Sequence, residues 1–358
     1  MKILFVAGTR PNFVKIAPLV YELRKDSRGI EWKLVHTGQH YDYEMSKVFF
    51  DELDISKPDY FLGAGSGTHA EQTAKIMVEF EKVCLKEKPD VVVVVGDVNS
   101  TLACSVTAKK LHIKVAHVEA GLRSGDMSMP EEINRIVTDS LSDYLFVTEK
   151  SGAKNLRKEG RHEKQVFHVG NIMIDTLHYG LNKLKRLQNP KSRDGRYAVV
   201  TLHRPSNVDD REKLKDILTA LREIAKDMNV IFPVHPRTEK NIKHFGLRSL
   251  VKDTNIELIP PMSYLGFLSL WKDSALVLTD SGGIQEETTT LGIPCFTIRE
   301  NTERPITIEE GTNTLVGTTG KGILEAYKKF KKGPRGKGKV PELWDGKTAE
   351  RIIKILTD

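Results

Sequence analysis

The sequence predicts an α/β protein made of two doubly wound domains facing each other across a cleft. Three observations carry that expectation. Short apolar runs alternate with segments of helical apolar spacing along the chain. The plainest run, Val91–Val95, is five consecutive valines, the composition of a strand buried on both faces of a parallel sheet. Finally, 358 residues exceed one ordinary core, and the strand–helix pattern restarts after Gly170.

Taken in order, Ile3–Ala7 reads as a first buried strand. The following helix has Pro11 in its first turn and apolar residues at Phe13, Ile16, Ala17, Val20 and Leu23, and Pro18 should kink or shorten it. Lys33–His36 is a second strand. Thr68 and Glu71 form a capping box opening a helix to about Lys86. Asp90–Val95, a helix over 100–111, strand Ile113–His117, a helix opened by Pro130, and strands Tyr144–Val147 and Val166–Val169 complete the first unit. Gly170 and Asn171 lead into a helix to about Leu187, and the polar stretch 189–196 is a linker by composition. New strands follow at Tyr197–Thr201, Val230–Val234, Ile256–Ile259, Leu276–Thr279 and Pro294–Ile298, with helices between. A last amphipathic helix over 347–356 puts Ile352, Ile355 and Leu356 on one side.

Composition narrows the function classes. No apolar run approaches the ~20 residues of a membrane helix, and the N-terminal stretch reads as a strand rather than a signal peptide, which points to the cytoplasm. Cys84, Cys104 and Cys295 have neither disulfide nor metal spacing. The net charge of +7 resides in residues 328–339, which hold seven basic and no acidic side chains, so the remainder balances to zero. That segment reads as a solvated loop, and nothing marks a nucleic-acid surface.

Ligands of doubly wound sheets bind beyond the carboxyl ends of the strands, and that rule sorts the polar motifs. Asp97 and Glu119 each follow an apolar run, and Glu131 follows the helix-opening Pro130. Arg10 and Lys15 lie near a helix N-terminus, where cations are unfavourable unless they reach an anion. His203 and His235 each follow a strand. In TDSGGIQEE, Ser281, Gly282 and Gly283 form a turn whose amides can cradle a phosphate, with Ser281 as a simple helix cap the plainer reading. Glu287 lies one turn further, where it can accept from two ribose hydroxyls, and Arg304 is a further cation after the next strand. One half thus offers acids, and the other a nucleotide-diphosphate cradle.

GTRPxxxK, GDxxST, HVEAGLRSGD, MPEExNR, DSGGIQEE and TERP stand in this order over residues 8 to about 317. In this the chain resembles UDP-N-acetylglucosamine 2-epimerases. The resemblance implies two Rossmann-like domains in the GT-B arrangement, over 1–170 and 171–345, with the helix of 346–358 packing back on the first. It implies reversible epimerisation between UDP-GlcNAc and UDP-ManNAc without NAD, metal or other cofactor, in a homodimer that binds neither nucleic acid nor membrane. UDP leaves C1 as a base takes the C2 proton, 2-acetamidoglucal forms, and UDP re-adds as the proton returns on the other face. By this resemblance Asp97, Glu119 and Glu131 move the proton, His203 lies near the diphosphate, Glu287 binds ribose, and Arg10, Lys15, Ser281, Gly282, Gly283 and Arg304 hold UDP or sugar. Many bacterial members use a glutamine-rich stretch to bind a second, activating UDP-GlcNAc. Here Gln39 is kept, but Glu44 and Glu71 stand where neutral or basic residues are usual. A hydrolysing 2-epimerase, a GT-B glycosyltransferase, a relative acting on a diacetamido uronic acid nucleotide sugar and a non-catalytic nucleotide-sugar sensor are the alternatives, the sensor opposed by retention of all three acids.

Overall fold

The computed structural model describes residues 1–25, 28–39, 50–187, 196–333 and 338–358. They divide into two compact units, Met1–Tyr179 with Glu342–Asp358, and Gly180–Pro341. Each is a parallel sheet with helical crossovers, as the alternating pattern requires.

The first unit contains β1 (Lys2–Ala7), β2 (Glu31–His36), β3 (Tyr60–Phe61), β4 (Val91–Val95), β5 (Lys114–Val118), β6 (Tyr144–Val147) and β7 (Val166–His168). Their order across the sheet is β3-β2-β1-β4-β5-β6-β7, every adjacent pair parallel. The direction of winding reverses between β1 and β4, so the loops leaving those strands diverge and open a crevice at their carboxyl ends. All five valines of β4 are buried. Alternate residues Leu4 and Val6 of β1, with Val92 and Val94 of β4, pack on Ile76, Phe80, Ala103 and Cys104 from two helices. Each such fully buried Val, Leu, Ile or Phe contributes about 1.5–3 kcal/mol relative to exposure.

The second unit contains β8 (Tyr197–Thr201), β9 (Asn229–Pro233), β10 (Ile256–Ile259), β11 (Leu276–Thr279), β12 (Cys295–Thr297) and β13 (Asn313–Leu315). Their order is β10-β9-β8-β11-β12-β13, again parallel, with the reversal between β8 and β11. A single core joins β8, β9 and β11 to the helices Arg211–Ile224 and Gly320–Lys331.

Several sequence expectations are revised. The helix Arg10–Lys25 is not shortened by Pro18. Proline lacks the N–H that would bond the Val14 carbonyl, and the Thr176 hydroxyl donates to that oxygen instead, at 2.6 Å. The edge strands β3 and β13, two and three residues long, carry too few positions to show periodicity. The two units divide at Tyr179/Gly180, and the chain returns to the first at Glu342. The reason is that the helix Ile172–Arg186 begins anchored in the first unit through Thr176 and Asp175. Trp344 secures the return by donating its indole N–H to the Thr148 carbonyl at 3.1 Å. Of the segment 328–339, Lys328, Lys329 and Lys331 end a helix and residues 334–337 lie outside the described set, as do 189–195 of the polar linker stretch. Cys84, Cys104 and Cys295 are free and buried, and burial pushes the Cys84 and Cys295 thiols up to about 12. Among the described residues no helix is long and apolar enough to cross a membrane.

The C-terminal helix Thr348–Thr357 is capped by Asp175, which accepts from the Thr348 amide at 2.8 Å and the Ala349 amide at 3.3 Å. Burial pushes the Asp175 carboxyl up to about 7, despite these two amides, which favour the ionised form. A folded-state value above the unfolded one means that its contribution is fully present below pH ~4 and is lost as pH rises through about 7. Asp175→Asn keeps an acceptor and removes the buried charge. Urea unfolding at about pH 5 and about pH 8 should show the variant gaining on wild type, at the higher pH, by on the order of 1 kcal/mol or more. A difference that does not change with pH would refute this role.

Candidate active site

The crevice of the first sheet is built from the loops after β1, β4 and β5. Asn12 ties the first two together: its Oδ1 accepts from the Gly8 and Thr9 amides, at 3.0 and 2.9 Å, and its Nδ2 donates to the Val95 carbonyl at 3.0 Å. Gly96 turns the chain out of β4 with φ +69°, and a β-carbon there would lie 3.1 Å from Lys15 Nζ. Asp97 follows, its side chain one-third exposed. At the end of β5, Glu119 also adopts a left-handed φ, +73°, a strained state for a side-chain-bearing residue. Its amide and that of Ala120 both donate to the Phe146 carbonyl, at 3.1 and 3.0 Å, and this holds the strained turn. The Glu119 carboxylate is buried, with Oε2 against Lys15 Nζ and Oε1 lacking a hydrogen-bond partner among the described residues.

The helix Pro130–Leu141 supplies the opposite wall. Pro130 occupies its first turn, where a missing N–H costs nothing, and Glu131 and Glu132 favour the positive end of its dipole. Glu131 is half-buried. Glu132 is buried and structural: it accepts from the Ser124 and Gly125 amides, at 3.0 and 2.9 Å, and pairs with Arg135 at 2.6 Å. Burial alone would raise its carboxyl, but those amides and Arg135 hold it below the usual range. Arg135 also pairs with the Asp97 carboxylate, and Asn134 donates to the Asp97 carbonyl at 2.9 Å. Glu131, Asn134, Arg135 and Asp139 are spaced at i, i+3, i+4 and i+8, which is one helix face. Sequence reasoning selected Glu131 and missed Glu132, Asn134, Arg135 and Asp139, although that polar periodicity within one helix was the available signal.

In the second unit the corresponding loops follow β8 and β11, and Asp280 is their common anchor. It is fully buried and accepts from the His203 amide at 3.0 Å, the Arg204 amide at 2.9 Å and Asn207 Nδ2 at 3.2 Å. His203 Nδ1 is 2.9 Å from Asp280 Oδ1, which leaves the half-exposed ring oriented by a buried carboxylate. Burial alone would raise the Asp280 carboxyl, but His203 and the two amides bring it below the usual range. The His235 ring is centred 6.0 Å from that of His203, and its Nδ1 accepts from the Arg237 amide.

Ser281 occupies the cap position of the helix Gly282–Leu291 without a side-chain capping bond, so the hydroxyl is not spent on the helix. Gly282 and Gly283 are its first residues. A β-carbon at Gly282 would lie 2.6 Å from Arg304 Nη1, so glycine lets the guanidinium close on the helix start. Arg304 is buried and paired with Glu286, at 2.7 Å, and with Glu303, which also pairs with Arg299. Burial alone would raise the Glu303 carboxyl, but Arg304 and Arg299 hold it far below the usual range. Glu287 is buried and accepts from the Tyr264 hydroxyl at 2.9 Å, and burial pushes its carboxyl up to about 8.

The structure therefore brings Asp97, Glu119, Lys15 and the helix of Glu131 together in the first unit, and His203 with the Ser281–Gly283 turn in the second. Arg10 is exposed at the first position of its helix, and Lys15, expected at an anion, faces Glu119. Gln39 accepts from the Ser100 hydroxyl at 2.8 Å. Glu71 completes the capping box with Thr68, which accounts for its charge locally, and Glu44 lies outside the described residues.

A family model described as UDP-N-acetylglucosamine 2-epimerase matches residues 22–357. The UDP-N-acetylglucosamine 2-epimerase of Methanocaldococcus jannaschii is 46% identical, over 100% of this chain and 99% of its own. A crystal structure of that archaeal protein in complex with UDP-GlcNAc and UDP superposes with a TM-score of 0.88, at 45% identity over 100% of this chain and 99% of the other. The UDP-2,3-diacetamido-2,3-dideoxy-D-glucuronate 2-epimerase of Pseudomonas aeruginosa is 43% identical over 91% of each chain.

The Lys15–Glu119 pair makes a stability prediction. Lys15→Met leaves a buried carboxylate without its cation and should cost about 3–5 kcal/mol in urea unfolding. Adding Glu119→Gln removes that charge and should recover most of the loss. A double variant no more stable than Lys15→Met would show that the two groups are not coupled.

Proposed function

We propose, from the premise that this chain belongs to the UDP-N-acetylglucosamine 2-epimerase family, that it interconverts UDP-GlcNAc and UDP-ManNAc by the non-hydrolysing route. The observation carrying this reading is that Asp97 and Glu119 follow β4 and β5 at their carboxyl ends, and that Glu131 opens the helix whose Asn134 and Arg135 hold Asp97. The C2 hydrogen of the sugar sits beside no carbonyl, so direct deprotonation is hard. Elimination avoids the difficulty. A carboxylate takes the C2 proton, the C1–O bond breaks with its electron pair leaving on UDP, and a C1–C2 double bond forms. A proton then returns to C2 on the opposite face as UDP oxygen re-adds to C1. The step needs proton-carrying groups on two faces of one carbon, which a set of carboxylates from two strands and a helix suits. Lys15 orients Glu119 and Arg135 orients Asp97.

The second unit's part in this reading is to hold UDP. The first amides of the helix Gly282–Leu291 and the His203 ring, oriented by Asp280, stabilise the charge that builds on the departing diphosphate. Arg10 adds a cation from the exposed start of its own helix. Glu287, held by the Tyr264 hydroxyl, accepts from the ribose hydroxyls in this reading.

Incubation with UDP-GlcNAc in D2O, followed by proton NMR, should show deuterium at C2 with UDP-ManNAc accumulating. Free ManNAc with UDP would identify a hydrolysing enzyme instead, and no C2 exchange would remove both epimerase readings. The Pseudomonas relative makes its diacetamido uronate the second substrate to try in this assay. Asp97→Asn, Glu119→Gln and Glu131→Gln should each lower kcat by about 100-fold or more. Near-wild-type turnover in all three would show that the chemistry lies elsewhere.

A further inference from the structure

His117 is a buried histidine that the chemistry above leaves unused. It lies in β5 beside Val94 in the register, with its ring fully buried. Nε2 is 2.8 Å from the Gly96 carbonyl oxygen, and Nδ1 is 2.7 Å from Asp139 Oδ1. A carbonyl oxygen only accepts, so Nε2 carries a hydrogen. Asp139 is an acceptor as well: its Oδ2 takes the Gly121 amide at 3.0 Å and faces the Arg123 guanidinium at 2.7 Å. With Oδ2 already taking an amide and a guanidinium, Asp139 is the acceptor toward Nδ1 as well, so Nδ1 carries a hydrogen too. Arg123 divides its charge between Asp139 and the more exposed Glu159.

Both anchor points belong to the turns that carry the proposed acids. Gly96 immediately precedes Asp97, and Gly121 stands two residues beyond the strained Glu119. We propose that His117 is a positioning residue, held as a doubly protonated imidazolium between Asp139 and the Gly96 carbonyl, that fixes the turns of Asp97 and Glu119 relative to each other. This rests on the reading of those two side chains as proton-moving acids. His117 does not meet the sugar; it acts through the turns. A charged ring donates two charge-assisted hydrogen bonds. A neutral ring satisfies only one of its two acceptors and leaves the other facing a lone pair, so the turn on that side shifts.

The test uses the full chain labelled with [15N]histidine, with NMR at neutral pH and His117→Gln identifying the signal. Both ring nitrogens of His117 should be protonated in the wild type. In Asp139→Asn the ring should become neutral, with one unprotonated nitrogen. In the C2-exchange assay Asp139→Asn should lose about 100-fold in kcat, as a small displacement of reacting groups does. KM for UDP-GlcNAc should stay within about twofold, since no group assigned to UDP is altered. A neutral His117 in an active wild type, or wild-type kcat in Asp139→Asn, would overturn the proposal alone. Absence of C2 exchange in the wild type would instead sink the epimerase reading, and the positioning role with it.

Discussion

Parallel strands end in backbone groups and turns that need partners, and in the first unit a single helix face provides them. Asn134 and Arg135 grip Asp97 by its carbonyl and its carboxylate, and Asp139 grips Gly121 and His117. Glu132 holds the Ser124–Gly125 turn and shares Arg135 with Asp97. Most of these groups are buried, so each would cost several kcal/mol if left unpaired. Through these contacts one helix ties the ends of β4 and β5 together. The strained backbone of Glu119 persists because its surroundings over-determine it.

The second unit solves the same problem with one residue. Asp280 follows β11 and collects the amides of the loop after β8, the Asn207 side chain and the His203 ring. The half-exposed ring is thereby aimed by a carboxylate that solvent cannot reach. Near it, Arg304 lies close to the start of the helix Gly282–Leu291, and Glu286 and Glu303 balance a charge that the helix dipole alone would oppose. In both units polar side chains stand on the loops beside the reversal of strand order, where neighbouring loops diverge, and Glu119 joins them from the next strand, β5.

Much of this was legible from the chain. The valine run of β4, Pro130 at a helix start and the Thr68/Glu71 capping box are local signals, and each appears where local physics puts it. Asp97, Glu119, His203 and Ser281 were identified because they follow strands. Their pairings were not. Lys15 meets Glu119 across 104 positions of sequence, and Asp280 meets the His203 amide across 77. No periodicity carries such pairings. Nor does local propensity explain the Pro18 helix, whose freed carbonyl is satisfied by Thr176 from 162 positions away.

The sequence by itself determined the α/β class, the positions of the longer strands and helices and the residue types at the strand ends, since these follow from apolar spacing, turn chemistry and capping over a few residues. The tertiary structure decided which of those residues face each other. It paired Lys15 with a buried carboxylate, made Glu71 a cap, and joined Asp139, Arg135 and Asp280 to the turns they hold. The physical reason is that burial raises the cost of an unpaired charge far above its cost in water, and burial exists only once the chain has closed around it.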